Sequence, residues 1–199
     1  LEGFEYTLDL DVRALEFDVL ISKDNVPIIT HDDRLSAAIT RNKSGEWLTN
    51  NCPKVNELTL SELKQFDVGG LDQHSIYGKN YPHQKFLSGV RIPKLSELLD
   101  LVCSQKNKNI YLLLEIKPTP SQNIANVVRQ IVTEISEKKL FHCTVLHSFD
   151  WDLLKECQRV APEIACSFLS ELPGNDDEPF DEHFENHTPD FSSFDVSIP

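Results

Sequence analysis

The segment "RALEFDVLISKDNVPIITHDD", residues 13–33, combines two kinds of local pattern, a strand and a hairpin turn. Its first half alternates between apolar residues on one face of an extended strand and acidic residues on the other: Leu15, Phe17 and Val19 against Glu16 and Asp18. At about 3.3 Å of rise per residue, the Cα atoms of Glu16 and Asp18 lie roughly 6.6 Å apart, so both carboxylates can bind one hard cation. The pattern therefore predicts a strand with an apolar face and an acidic face.

The turn that follows this strand, at 23–25, is too short for a parallel crossover. Residues 27–30 are therefore expected to pair antiparallel with the first strand. If the turn centres between residues 24 and 25, this pairing sets His31 opposite Asp18. A carboxylate pair with a histidine at the open end of a strand is a candidate metal and acid–base site. The alternative is an edge strand with a solvated polar face and His31 in a loop.

A second cluster closes the apolar run "IYLLLEIKPTP", residues 110–120. Glu115 and Lys117 lie two residues apart and so share one face of the predicted strand. An ordinary ion pair at a strand end is the alternative interpretation. Two polar clusters at the ends of two strands favour a functional site, because barrels place catalytic groups at the carboxyl ends of parallel strands.

Strand and helix patterns alternate along the chain, which is typical of an α/β protein with parallel strands. Helices are predicted at 1–10, 59–66, 94–104, 121–139 and 151–160, and strands at 14–21, 27–30, 110–116, 144–148, 164–169 and 194–198. Without the hairpin arm at 27–30 these are five of the eight strands that close a β/α (TIM-type) barrel. Residues 1–199 are thus interpreted as one incomplete domain, with first and last strands outside it. Residues 67–92, with four glycines, one proline and little periodicity, are expected to form an inserted loop region.

Composition excludes several classes of partner. The net charge of −13 argues against nucleic acid or an anionic membrane surface. No run approaches the roughly 18 apolar residues of a membrane span. The five cysteines form no CxxC pair, which favours a reducing, cytoplasmic compartment while leaving the periplasm and secretion open. A small-molecule substrate is compatible with this composition, and the oligomeric state is left open.

Several segments together resemble the glycerophosphodiester phosphodiesterase family, in nearly the same order and spacing. They are "LEGFEYTLDLDVRALEFDVLISKDNVPIITHDDRL", "LTLSELKQFDVG", "GVRIPKLSELLDLV", "LLLEIKP" and "HSFDWDLLKEC". The resemblance implies a β/α barrel that cleaves glycerophosphodiesters such as glycerophosphocholine to glycerol 3-phosphate and an alcohol. It also implies Mg²⁺ or Ca²⁺ on Glu16, Asp18 and Glu115, His31 as one of two catalytic histidines, and Lys117 as a phosphate contact.

The sequence also departs from the family pattern. The "HRG" and "PENT" elements expected before Leu1 and the strands expected after Pro199 are absent, so residues 1–199 alone are expected to be inactive. His147 stands where many relatives have Gln. Two alternatives remain: a non-catalytic relative or fragment that binds phosphate or metal, and another barrel phosphodiesterase such as a phosphatidylinositol phospholipase C. The "EIK" and "SFDW" segments disfavour the second. His183 and His187, four apart, are interpreted as part of a solvated acidic loop.

Overall fold

A computed structural model of the protein describes residues 1–49, 51–105, 110–118 and 123–170. Leu1–Leu169 form one compact unit. The predicted strand at 194–198, the acidic loop and its two histidines, His183 and His187, lie outside the described residues. None of the helices in the described ranges is long and apolar enough to cross a bilayer.

The described ranges contain six α-helices and five strands. The helices are α1 (Glu2–Asp9), α2 (Leu60–Leu63), α3 (Ile76–Asn80), α4 (Leu95–Ser104), α5 (Ile124–Glu137) and α6 (Trp151–Val160). The strands are β1 (Ala14–Ile21), β2 (Pro27–Ile29), β3 (Tyr111–Ile116), β4 (Thr144–Ser148) and β5 (Ala165–Phe168). Apart from α3, each was predicted within a few residues.

The five strands form one sheet in the order β2-β1-β3-β4-β5. Strands β1, β3, β4 and β5 are mutually parallel, and β2 pairs antiparallel with the outer side of β1. Helix α5 connects β3 to β4, and α6 connects β4 to β5. Each parallel strand therefore neighbours the next one along the chain through a helical crossover, as in a β/α barrel. This confirms the predicted fold class.

The main core lies between the sheet and helices α4, α5 and α6. Alternate strand residues enter it fully buried: Leu15, Phe17, Val19 and Ile21 from β1, and Leu112, Leu114 and Ile116 from β3. The apolar faces of the three helices cover them. The alternation predicted for β1 thus fixes which face of the sheet the helices cover.

A second apolar cluster lies around β2 and includes Leu20, Ile28, Leu35, Val55, Leu63 and Ile92. Beside it, the side chains of Arg41 and Asp67 form an ion pair at 2.9 Å and are about nine-tenths buried. The backbone N–H groups of Gly69 and Gly89 donate to the Asp67 carboxylate at 3.0 and 2.7 Å. These bonds anchor both ends of the predicted inserted loop region to the rest of the unit.

The predicted loop region at 67–92 contains the short helix α3, which the sequence pattern did not indicate. The Ser75 hydroxyl caps this helix by accepting a hydrogen bond from the Gly78 backbone N–H at 2.8 Å. A Cβ atom at Gly78 would lie 2.0 Å from the carbonyl oxygen of Asp72. Glycine is required at position 78 because the backbone of Asp72 lies too close for a Cβ atom. A glycine within so short a helix hides the helical pattern in the sequence.

Candidate metal centre

The polar residues predicted at two strand ends lie in one row across the sheet. Asp18 of β1 is the register partner of Glu115 of β3, which is the partner of His147 of β4. Ser167 of β5 continues the row. This row lies on the face opposite the helices, near the carboxyl ends of the parallel strands, where β/α proteins place their functional groups.

Glu16, Asp18 and Glu115 form a cluster of carboxylates. One oxygen from each lies within 4.8 Å of the others. Two oxygens on opposite sides of one ion are separated by about 4.1 Å for Mg²⁺ and about 4.6–5.2 Å for Ca²⁺. The three carboxylates therefore fit a single divalent cation of this size, and their role as its ligands stays a prediction.

Lys117 lies between two of these carboxylates. Its Nζ atom is 2.7 Å from Glu115 Oε1 and 3.1 Å from Asp18 Oδ1. Burial alone would lower the pKa of Lys117, but its bonds to Glu115 and Asp18 outweigh burial and hold that pKa above its usual value. Glu115 Oε1 is shielded from solvent and receives no hydrogen bond of good geometry, so the Lys117 contact is an ion pair only. A buried carboxylate oxygen in this state suits a cation.

Glu16 is the most exposed of the three carboxylates, with 54% of its side chain accessible. Burial of the remainder raises its pKa, and the charges of Asp18 and Glu115 raise it further, while His147 and Lys117 oppose the shift. The cluster thus concentrates negative charge that one lysine does not neutralise. The donor set, the geometry and the charge all favour a divalent cation.

The carboxyl end of β4 is held rigidly beside this cluster. The Ser148 hydroxyl donates to the Ile116 carbonyl at 2.6 Å, which ties β4 to β3. The Asp150 carboxylate then caps α6 by accepting from the N–H groups of Asp152 and Leu153. His147 is therefore fixed in its row, although sequence reasoning did not name it as a site residue. Its place near the end of a predicted strand was the available signal.

The predicted pairing of His31 with Asp18 is wrong by one residue. The observed register pairs Val19 with Ile29, so Thr30 donates its backbone N–H to the Asp18 carbonyl at 3.2 Å. The observed register centres the turn on Asp24 and not between residues 24 and 25, and Asn25 adopts φ 63° within the turn. A one-residue slip reverses the face of every following side chain. His31 is 72% exposed, and its Nδ1 contacts Asp32 Oδ1 at 2.7 Å.

A separate cavity of about 660 Å³ lies between α1 and the 67–92 segment. Its lining includes Tyr77, Tyr81, Lys85 and Arg91, but none of the three clustered carboxylates. The cation cluster is thus a surface feature of the sheet and not part of this cavity.

Fold and cluster together define a class: a β/α-barrel protein with a carboxylate centre for a divalent cation at the carboxyl ends of its parallel strands. Phosphodiester hydrolases are among the proteins that use such a centre.

Comparison with known proteins identifies the family within this class. Residues 1–190 match the glycerophosphoryl diester phosphodiesterase family model, and the chain belongs to that family. One matching crystal structure is that of a protein from Silicibacter pomeroyi DSS-3, named provisionally as a glycerophosphoryl diester phosphodiesterase. The match has TM-score 0.84 and 44% sequence identity, and it covers 89% of this chain and 61% of that chain.

Two further relatives agree with this assignment. A phosphodiesterase from Oleispira antarctica, solved in complex with the product sn-glycerol-3-phosphate, matches with TM-score 0.64 and 25% identity over 87% of this chain and 61% of that chain. A glycerophosphodiester phosphodiesterase from Caldanaerobacter subterraneus is 23% identical over 85% of this chain and 59% of its own length. The chain thus spans about three-fifths of the length of these relatives.

Proposed function

We propose that the protein containing this chain hydrolyses glycerophosphodiesters to glycerol 3-phosphate and an alcohol, with a divalent cation. The observation that carries the proposal is the convergence of Glu16, Asp18 and Glu115 to within 4.8 Å at the carboxyl ends of β1 and β3. Membership of the family supports the reaction class. The product bound to the Oleispira antarctica relative supports glycerol 3-phosphate as the common half of the substrates.

In this proposal the three carboxylates hold the cation, which is Mg²⁺ or Ca²⁺ because every donor is a carboxylate oxygen. When bound, the cation neutralises charge on the phosphate. Lys117 provides a second positive charge beside the same position, and its Nζ contacts a phosphate oxygen when substrate separates it from Asp18.

His31 is proposed to move the proton. Asp32 accepts from Nδ1 at 2.7 Å, which orients the ring and leaves Nε2 to take a proton from the attacking hydroxyl of substrate or water. The new P–O bond forms to that oxygen as the P–O bond to the leaving group breaks, and the departing alkoxide takes up a proton from solvent water to give the alcohol. The backbone bond from Thr30 to the Asp18 carbonyl places His31 one residue beyond a direct contact with β1.

The proposal is tested by assaying the full-length protein on glycerophosphocholine. We expect choline and glycerol 3-phosphate as products, loss of turnover on chelation, and recovery with Mg²⁺ or Ca²⁺. Phosphatidylinositol serves as the control substrate. Cleavage of phosphatidylinositol without cleavage of glycerophosphocholine would instead assign the protein to the phospholipase C type, and cation binding without any hydrolysis would indicate a non-catalytic relative.

A further inference from the structure

The three carboxylates of the candidate centre are held unequally. Asp18 and Glu115 have side chains 16% and 9% exposed, and both are ion-paired with Lys117. Glu16 is 54% exposed, and the Nε2 atom of His147 lies 3.9 Å from Glu16 Oε1. A loosely held ligand weakens a cation site, because its side-chain freedom is lost on binding. Glu16 therefore needs an anchor.

His147 has an atom suited to that task. Its Nε2 is inaccessible to solvent and has no hydrogen-bond partner in the described part of the chain. A buried polar atom left without a partner costs about 1–3 kcal/mol. Because Nε2 is closed to solvent, a substrate oxygen cannot reach it without rearrangement, whereas the Glu16 carboxylate already lies beside it.

Only one of the two side chains is free to close the gap. His147 lies in a strand fixed to β3 on one side and β5 on the other, and its side chain is 14% exposed. The exposed Glu16 side chain can rotate. A movement of about 1 Å shortens 3.9 Å to the roughly 2.9 Å of an N–H···O hydrogen bond.

We propose that His147 is a positioning residue for Glu16. The neutral imidazole carries its hydrogen on Nε2 and donates it to Glu16 Oε1, so that the other carboxylate oxygen faces the cation. The inference rests on the cation centre of the proposed function and adds to it the group that orients its most mobile ligand. Hydrogen bonds to the ligands of a metal commonly set its affinity in this way.

A direct role for His147 as a cation ligand fits the structure less well. Among the described residues, the group whose ligand atoms all lie within 4.8 Å of one another contains Glu16, Asp18 and Glu115 but no nitrogen of His147. In this proposal His147 acts on the cation through its contact with Glu16. Its effect on cation binding should therefore vanish when Glu16 is removed.

The test compares two substitutions in the 199-residue chain, with Mn²⁺ as the probe in a calorimetric titration. His147→Leu fills the space but cannot donate, and we expect it to weaken Mn²⁺ binding by about tenfold or more. His147→Gln places an amide N–H near the position of Nε2, and we expect affinity within about threefold of wild type. Thermal unfolding checks that both variants fold.

A double-mutant cycle and NMR complete the test. In a Glu16→Ala background, His147→Leu should cause no further loss of Mn²⁺ affinity. With diamagnetic Ca²⁺, the wild-type chain should show a slowly exchanging His147 Hε2 resonance that Glu16→Ala removes. Equal losses for the Leu and Gln variants, additive losses with Glu16→Ala, or no such resonance would overturn the role of His147. A wild-type chain that binds no Mn²⁺ would contradict the cation centre itself, and this inference with it.

Discussion

Strands β1 and β3 each have two faces, and these faces differ in burial and in charge. Leu15, Phe17 and Val19 lie on the face covered by helices and are at most 3% exposed. Between them, Glu16 and Asp18 lie on the opposite face, where with Glu115 they form the candidate cation centre. Charges two residues apart are tolerated there because the helices bury only alternate side chains.

The helix-covered face contributes mainly to the stability of the fold, whereas the carboxylate face carries the candidate cation site. Burial of apolar area on the helix-covered face contributes most of the free energy of folding. On the carboxylate face the acidic groups repel one another. Partial burial is the main cause of the raised pKa of Glu16, and the charge of Asp18 raises that pKa further. Substitutions on one face should therefore change unfolding and leave cation binding intact, and those on the other face should do the reverse.

The largest effect is expected from the carboxylate face. In the full-length protein, Asp18→Asn removes a cation ligand and should lower turnover of glycerophosphocholine by about 10³-fold or more. The melting temperature should stay the same or rise, since one negative charge leaves the cluster. Asp9→Asn, at an exposed position of α1, is the control. A loss of stability that parallels the loss of turnover would contradict the expectation that the carboxylate face contributes little to folding.

The next effect concerns stability and uses two neighbouring leucines of β3. Leu114 is 0% exposed on the helix-covered face, whereas Leu113 is half-buried on the carboxylate face. Leu114→Ala should reduce the free energy of unfolding by about 2–5 kcal/mol, because it leaves a cavity in the core. Leu113→Ala should cost about 1 kcal/mol or less. Urea unfolding measures the loss of unfolding free energy in both variants. Equal losses would contradict the claim that the helix-covered face contributes most of the stability.

A smaller effect is expected at Lys117, which occupies the carboxylate face as an internal cation. Lys117→Gln removes a positive charge that competes with an added ion, so Ca²⁺ should bind about tenfold tighter, or about 1.4 kcal/mol. Millimolar Ca²⁺ should then raise the melting temperature of the variant more than that of wild type. Lys155→Gln, on the exposed side of α6, is the control. Equal shifts in all three proteins would show that Lys117 does not compete.

The smallest effect lies on the helix side of the sheet. Burial, opposed mainly by Lys94, raises the pKa of Glu134 on α5 from 4.5 to about 7. The folded state thus retains a proton that the unfolded state releases, so stability is lost as pH rises from 4.5 through 7. Glu134→Gln should stabilise by about 1 kcal/mol above pH 7 and by nothing below pH 4.5, after allowance for the half-exposed carboxyl. Urea unfolding at both pH values, with Glu163→Gln at an exposed position as control, provides the check.

Much of the fold could be predicted from local sequence. The bounds of β1, β4 and α6 agree with the prediction, since alternation marks the strands and Asp150 caps the helix. The clustering of Glu16, Asp18 and Glu115 also followed, because residues at the carboxyl ends of adjacent parallel strands must be neighbours. These features depend on the apolar–polar periodicity and on the order of strands along the chain, both of which can be read from a single sequence.

Other features depended on geometry that the sequence does not state. The hairpin register depended on whether the turn centres on Asp24 or between residues 24 and 25, and this difference changed the face assigned to His31. His147 was not named as a site residue because its meaning depends on the row it forms with Glu115, which requires the register of two strands. Helix α3 was hidden by Gly78, whose presence reflects a close backbone contact.

The most direct test of the carboxylate face as a cation centre is a crystal structure of the chain grown with Mn²⁺ and recorded at a wavelength where manganese scatters anomalously. We expect one strong anomalous peak bounded by oxygens of Glu16, Asp18 and Glu115, at about 2.0–2.6 Å from each, the range that Mg²⁺ and Ca²⁺ span. Lys117 should have moved away from at least one carboxylate. A peak elsewhere in the unit, or an undisturbed Lys117 between Asp18 and Glu115 with no peak beside it, would contradict the claim.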